Sequence, residues 1–156
     1  MNIPWIAQQG SAAHARGNMA VWRVFLRGLA IELDAKAGPD RSAELLRGAG
    51  QQMAALLGLP SVASLEALEL EMNAALAEIG WGGVRMTLSE ADHCVLIAHL
   101  GVPTIGSAGD PPGYWLIPAL EGLYQGWMDR QPGSNPSFRV RFHHNEEDVV
   151  ILHYGQ

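Results

Sequence analysis

Apolar residues recur every three to four positions through the first half of the chain. This spacing predicts one amphipathic helix in each of the ranges 18–38, 40–58 and 64–80. Asn18 and Ser64 carry side chains that can cap helix N-termini, and glycine or proline residues punctuate the end of each range. The predicted apolar faces consist of Met19, Trp22, Leu26, Leu29 and Leu33, then Leu45, Leu46, Ala49, Met53 and Leu56, then Leu65, Leu68, Met72, Ala75 and Ile79.

The pattern changes from a helical period to an alternating one beyond residue 82. Alternation predicts a β-hairpin with strands at 84–88 and 93–100, and a second hairpin with strands at 138–142 and 149–154. Pro118 lies between the hairpins and can occupy the first turn of a fourth helix, where its missing N–H costs nothing. This order predicts an α+β fold: N-terminal helices followed by antiparallel β-hairpins with an intervening helix.

Residues 1–17 show no helical or alternating period. They mix Gly, Ser, Gln, Ala and Arg around the isolated apolar pair Trp5 and Ile6. We therefore expect a flexible N-terminal arm that carries one apolar anchor, followed by a single domain over residues 18–156.

The composition narrows the classes of function. A chain of 156 residues that is 48% hydrophobic is long enough to bury one core without staples. Its formal net charge of −6 would repel a phosphate backbone, so nucleic acid is excluded as an expected partner. Cys94 is the single cysteine, which permits neither an internal disulfide nor a structural zinc site; its apolar neighbours predict a buried side chain. No Lys/Arg-rich start leads into a continuous apolar run, so the expected location is the cytoplasm.

Carboxylates are the first candidates for catalysis. Glycoside hydrolysis needs two carboxyls that face each other across a cleft. Glu66, Glu69 and Glu71 flank an apolar helical stripe, which favours a solvated helix face. Glu121 follows Pro118 at a helix start, where a carboxylate interacts favourably with the helix dipole, so we expect a structural role for it.

Other chemically reactive residues also favour structural roles. The run from His143 to Asp148 lies at a predicted hairpin turn, where adjacent histidines should point to opposite faces of a strand. His93 and His99 are too far apart to chelate one ion, and satisfied histidines at the strand ends are the better explanation. The loop 106–113 lacks the Lys-Ser/Thr end of a phosphate-binding loop, and no base can be assigned to Ser107. The sequence therefore predicts no catalytic residue, no metal site and no cofactor.

Aromatic and glycine residues point to packing surfaces. Trp22, Trp81 and Trp127 fit core or interface positions. Gly48 and Gly50 would each cost about 1 kcal/mol within a helix, so we expect close backbone packing to offset them. The glycines at 122 and 126, four residues apart on the last helix, clear a groove that fits either a subunit interface or packing within the chain.

Three motifs carry a resemblance to a known family. They are Ile79-Gly80-Trp81-Gly82, Gly106-Ser107-Ala108-Gly109 and Leu120-Glu121-Gly122-Leu123-Tyr124, with Trp127 after the last. Their order and spacing, together with matches spread over residues 20–128, resemble the cellulose synthase D-subunit family of bacterial cellulose operons.

The resemblance implies a non-enzymatic accessory subunit of cellulose synthesis. Members of that family form octameric rings, tetramers of dimers with internal passageways, and help order synthase complexes so that exported glucan chains crystallise together in the biofilm matrix. It implies as partners further copies of the chain, the synthase complex and another accessory protein of the operon. Within it, two mechanisms stay open: a cytoplasmic scaffold, or a passage lined by the arm that guides β-1,4-glucan.

Trp5 and Ile6 are the candidate contacts for a partner protein or for glucan. The resemblance also leaves a periplasmic location open. The rival from another class is a glycan hydrolase that uses Glu121 and a second carboxylate.

Overall fold

The first element of the structure is a long helix that is broken once. The computed structural model describes residues 4–102 and 116–156, with the backbone alone for residues 4–21 and 23. Helix α1 spans Pro4–Leu56, and its backbone leaves the helical region at Gly38, where φ is 75° and ψ is 168°. Side-chain-bearing residues hardly populate that region, so the glycine permits the break. Pro39 then starts the next turn, a position that needs no N–H.

The break divides α1 into a first segment, residues 4–37, and a second segment, residues 39–56. These correspond to the first two helices predicted from the sequence, with the boundary at the expected glycine. The first helix begins at Pro4 and not at Asn18, so its backbone continues into the region expected to be an arm. The division of the chain into an arm and a domain stays a prediction.

Helix α2, Leu65–Ile79, has the ends that its sequence predicts. The Ser64 side chain accepts a hydrogen bond from the amide of Ala67, and Gly80 ends the helix in the left-handed region at φ 67°. Beyond it, the structure forms a four-stranded antiparallel sheet in the order β1-β2-β4-β3. The strands are β1 Gly83–Ser89, β2 Cys94–Leu100, β3 Arg139–Glu146 and β4 Val149–Gly155, and helix α3, Ile117–Asp129, lies between the hairpins in sequence. The predicted α+β class and element order are confirmed.

Helix α3 is the centre of the core. Every residue from Ile117 to Met128 except Pro118 is buried. The second segment of α1 packs against it at backbone distance: a Cβ on Gly50 would lie 1.9 Å from the carbonyl oxygen of Ala119, and one on Gly122 would lie 1.9 Å from that of Arg47. The close packing expected at Gly50 is confirmed. The chain's own helix fills the α3 groove, so the subunit-interface interpretation of that groove is wrong.

Other packing expectations are also wrong. A Cβ on Gly48 would meet no atom within 4 Å, so no close contact offsets its cost. The helical period predicts Leu45 and Leu56 on the apolar face of the second segment, yet they are 51% and 84% exposed. Their spacing is helical, but the face of the second segment that is buried is narrower than the face that carries apolar residues. The reason is that small residues make the contact with α3.

The first segment of α1 exposes large apolar side chains. Trp22 is 59% exposed and Phe25 is 57% exposed, so neither belongs to the core that the described residues form. Among the side chains of this segment that the structure describes, the other exposed large apolar residues are Val24, Leu29 and Ile31. The core position expected for Trp22 is therefore not found among the described residues, and the interface position stays a prediction. Within the described ranges, no helix combines the length and the apolar character needed to cross a membrane.

Candidate functional site

Two polar residues of α3 bind the backbone of the edge strand β3. The amide of Val140 donates to Gln125 Oε1 at 2.7 Å, and the amide of Phe142 donates to Glu121 Oε1 at 2.8 Å. Gln125 Nε2 donates to the carbonyl oxygen of Phe138 at 3.2 Å. Because β3 has a neighbouring strand on one side only, these side chains satisfy N–H groups that would otherwise need water or another strand.

Glu121 also holds the second segment of α1. Its Oε2 accepts hydrogen bonds from Arg47 Nε at 3.1 Å and from Arg47 Nη2 at 2.6 Å. The carboxylate side chain is 10% exposed, and the guanidinium side chain is 42% exposed. Glu121 therefore joins α1, α3 and β3 at one point. This contact set, and not the helix dipole inferred from Pro118, accounts for the position of the carboxylate.

The opposite edge of the sheet has the same arrangement. Asn73 of α2 accepts from the amide of Val84 at 2.9 Å and donates to its carbonyl oxygen at 2.8 Å. Glu69 Oε2 accepts from the amide of Met86 at 2.6 Å. We call Glu69 with Asn73, and Glu121 with Gln125, the acid–amide pairs.

Sequence reasoning missed the first of these pairs. The sequence predicts Glu69 on a solvated helix face, but Glu69 binds the edge strand β1. The signal is present in the spacing: in both pairs an acid and an amide lie four residues apart, which places the two side chains on one face of a helix. Each pair also lies beside an apolar stripe that packs on the sheet.

His99 and Tyr124 form a buried hydrogen bond between the sheet and α3. His99 Nδ1 lies 2.6 Å from Tyr124 Oη, and both side chains are fully buried. Burial lowers the pKa of His99 to about 4, against a smaller opposing effect of the Trp81 backbone, and burial raises the pKa of Tyr124. Both groups are therefore neutral at pH 7. His99 is satisfied at Nδ1 alone, because its Nε2 is buried without a hydrogen-bond partner among the described residues, so the expectation of a satisfied histidine is confirmed only in part. His93 precedes β2 in the turn, at φ 51°.

The tryptophan and glycine motifs lie around this core. Trp127 is fully buried, and its indole Nε1 donates to the carbonyl oxygen of Leu57 at 2.9 Å. Trp81 is half-buried against the core, directly after the left-handed Gly80. Gly82 has φ 76°, and a Cβ there would lie 1.9 Å from the carbonyl oxygen of Leu100, so the helix-to-strand corner requires glycine.

A polar cleft of about 620 Å³ opens beside β3. We call it the β3 cleft. Its charged and amide-bearing lining comes from the second segment of α1, from α3 and from β3, and includes Arg47, Glu121, Gln125, Asp129, Arg139 and Arg141.

The carboxylates of the β3 cleft do not form a catalytic pair. Glu121 and Asp129 are eight residues apart on one helix, or about 12 Å along its axis. Glycosidase carboxyls need a separation of about 5 to 10 Å with a sugar between them. Both oxygens of Glu121 already accept hydrogen bonds from Arg47 and Phe142. The geometry gives no support to an acid–base role for Glu121.

The histidines of β3 differ from their predicted geometry. The β3–β4 register shifts between Phe142 and His144, which marks an irregularity in β3. His143 and His144 do not point to opposite faces as expected, because their ring centroids are only 4.7 Å apart. His144 Nε2 lies 3.1 Å from Glu146. Across the described part of the chain, no three side chains of His, Cys, Asp or Glu come together as a metal site.

Several predicted residues cannot be placed. The side chains of Trp5 and Ile6 lie outside those that the structure describes, as do Gly106, Ser107 and Gly109 in every respect. Cys94 is buried, as its apolar neighbours predict.

The fold and these contacts define an α+β protein in which polar side chains of two helices bind the backbone at both edges of one sheet. The family model for the cellulose synthase D subunit matches residues 5–155. Proteins named "Cellulose synthase operon protein D" from Komagataeibacter xylinus and Komagataeibacter sucrofermentans are 39% identical to the chain over 126 residues, which covers 81% of the chain and 81% of each relative. The chain belongs to the cellulose synthase D-subunit family.

Proposed function

We propose that the protein is a non-enzymatic accessory subunit of bacterial cellulose synthesis. It assembles into a ring, a homo-octamer built as a tetramer of dimers, and organises synthase complexes so that exported glucan chains crystallise in order. Family membership supports the role in cellulose synthesis. The ring and the organising role are the further content of the proposal, with the synthase complex and another protein of the operon as partners.

The exposed apolar side chains of the first segment of α1 are the observation that supports self-association. Trp22 and Phe25 lie with their ring centroids 5.7 Å apart in an edge-to-face arrangement, and both are more than half exposed in the isolated chain. A contiguous apolar surface of this kind is expected to be covered by protein. Closed symmetric association is the common way in which identical subunits cover such surfaces.

The engagement of polar groups within the fold supports an architectural role over a chemical one. The side chains of both acid–amide pairs accept hydrogen bonds from backbone N–H groups of the edge strands. We favour the scaffold over the passage that contacts glucan directly, for which Trp5 and Ile6 remain the candidate residues. The glycan hydrolase is the remaining alternative.

The test replaces the exposed aromatic pair in a cell that lacks its own copy of the subunit. The double variant Trp22→Ala/Phe25→Ala should keep the fold of the monomer, lose the ring in light scattering and lower both the yield and the crystallinity of cellulose. Lys36→Ala, an exposed polar change in the same segment, is the control and should behave as wild type. Glu121→Gln should still support cellulose production.

Two results would contradict the proposal. A wild-type protein that stays monomeric at micromolar concentration would rule out the ring. Loss of complementation by Glu121→Gln, with the ring intact and with glucan cleavage by the wild-type protein, would favour the hydrolase.

A further inference from the structure

The β3 cleft carries a charge opposite to that of the whole chain. Three of its lining residues are arginines and two are carboxylates, in a protein whose formal net charge is −6. Arg47 and Glu121 neutralise each other by their paired contacts. Arg139 and Arg141 remain, with Asp129 as the other charged residue of the lining. A local positive field on an acidic protein marks a surface that selects an anionic partner.

The two remaining arginines have donors available. Arg139 Nη1 donates to the carbonyl oxygens of Pro136 at 2.6 Å and Phe138 at 2.8 Å, which fixes its guanidinium at the rim. Neither Arg139 nor Arg141 forms an ion pair with a carboxylate of residues 22–102 or 116–156. Guanidinium groups bind carboxylates through paired, charge-assisted hydrogen bonds.

The cleft also presents hydrogen-bond acceptors. Val140 N–H faces Gln125, away from β4, and in an antiparallel strand the carbonyl oxygen of the same residue points to the same side. Asp129 Oδ1 accepts from Gln125, which leaves its other oxygen as an acceptor. A ligand that fits must therefore combine at least one carboxylate with N–H or O–H donors.

These features together favour a peptide over the other anions and polar ligands. Asp129, the lining carboxylate that Arg47 does not neutralise, disfavours a compact polyanion such as a phosphate. Among the described residues that line the cleft, none is an aromatic on which a sugar ring could stack. We propose that the β3 cleft binds an acidic peptide segment of a partner protein, with its carboxylates on Arg139 and Arg141 and its backbone N–H groups on Asp129 and Val140. The inference rests on the proposed scaffold function, since it names the chemistry by which the scaffold would recognise its partner.

The test measures the binding of defined peptides to the purified full chain by fluorescence anisotropy. The probe is a labelled peptide of about eight residues that alternates glutamate with serine and reaches about 26 to 29 Å in extended form. The matched probe alternates glutamine with serine. The glutamate peptide should bind, with an affinity that falls as salt rises, and the glutamine peptide should not bind.

Variants then locate the binding. Arg139→Gln/Arg141→Gln should weaken the affinity by about tenfold or more, and Arg141→Gln alone should weaken it by a smaller factor. Both side chains are exposed, so the melting temperature should be retained. Arg85→Gln, an exposed arginine on the other edge strand β1, is the control and should bind as wild type.

Four results would overturn the inference. They are no binding of the glutamate peptide at millimolar concentration, equal binding of the glutamine peptide, unchanged binding by the double variant, and displacement of the peptide by inorganic pyrophosphate or by a cello-oligosaccharide. Cellulose production is not measured in this test. A negative result in the peptide-binding test would therefore leave the proposed role in cellulose synthesis unchanged. Failure of the wild-type chain to complement would not bear on peptide binding.

Discussion

The two segments of α1 have similar apolar periodicity but different surroundings. The second segment lies against α3 so closely that Gly50 and Gly122 are required at the contact. The first segment exposes Trp22 and Phe25, and a Cβ on its Gly28 would meet no atom within 4 Å. A helical period of apolar residues predicts that one face of the helix packs against protein. It does not indicate whether that protein is the same chain.

Tryptophan truncation should separate the two regions most strongly. Trp127→Ala removes a fully buried ring and a hydrogen bond to Leu57, so we expect the free energy of unfolding to fall by about 3 to 5 kcal/mol. Trp22→Ala should leave the unfolding of the dilute monomer nearly unchanged. Urea denaturation of both variants at a concentration below self-association measures the difference. Equal losses in the two variants would show that Trp22 is packed in the monomer.

Added methyl groups should act in opposite directions in the two regions. Gly122→Ala places a Cβ against the Arg47 carbonyl, so the helices must separate, and we expect a loss of about 3 kcal/mol. Gly28→Ala meets open space and should gain about 0.5 to 1 kcal/mol from helix propensity alone. Thermal unfolding monitored by circular dichroism gives both values. A stable Gly122→Ala variant would contradict the close approach of α1 and α3.

Acid should weaken the packed region through His99. The folded-state pKa of about 4 lies below the ordinary value of 6.5, so the unfolded chain binds more protons between these values. This contribution to stability is therefore complete above pH 6.5 and is lost as the pH falls towards 4. Between pH 7 and pH 5 the expected loss from this residue is about 2 kcal/mol.

His99→Asn should abolish that part of the pH dependence, because asparagine does not titrate. Urea denaturation of the wild type and the variant at several pH values measures it. If the two proteins showed the same slope between pH 7 and pH 5, His99 would not be the neutral, buried group described here.

Much of the fold could be predicted because local rules and tertiary structure agree. Local backbone preferences account for the break at Gly38, the cap at Ser64 and the helix end at Gly80. They also account for the order of the hairpins. The family motif around Trp127 lies at the centre of the core.

The contacts of the candidate site were less accessible to sequence reasoning. Whether Glu69 faces solvent or β1 depends on where a distant strand lies, and the same holds for Arg47 and Glu121, which are 74 residues apart. The geometry of His143 depends on a register shift in β3, and no residue typical of turns marks that shift in the sequence. Such features are set by tertiary packing, which a period of 2 or 3.6 residues does not specify.

The acid–amide pairs also limit how copies of this protein can join. Strand-to-strand addition is open-ended, because each incoming chain offers a fresh edge to the next and growth ends in fibres. Here Asn73 and Glu69 occupy one edge of the sheet, and Gln125 and Glu121 occupy the other. Association through other surfaces can stop at a fixed number of copies, so many of them can gather at one place without polymerising through their sheets.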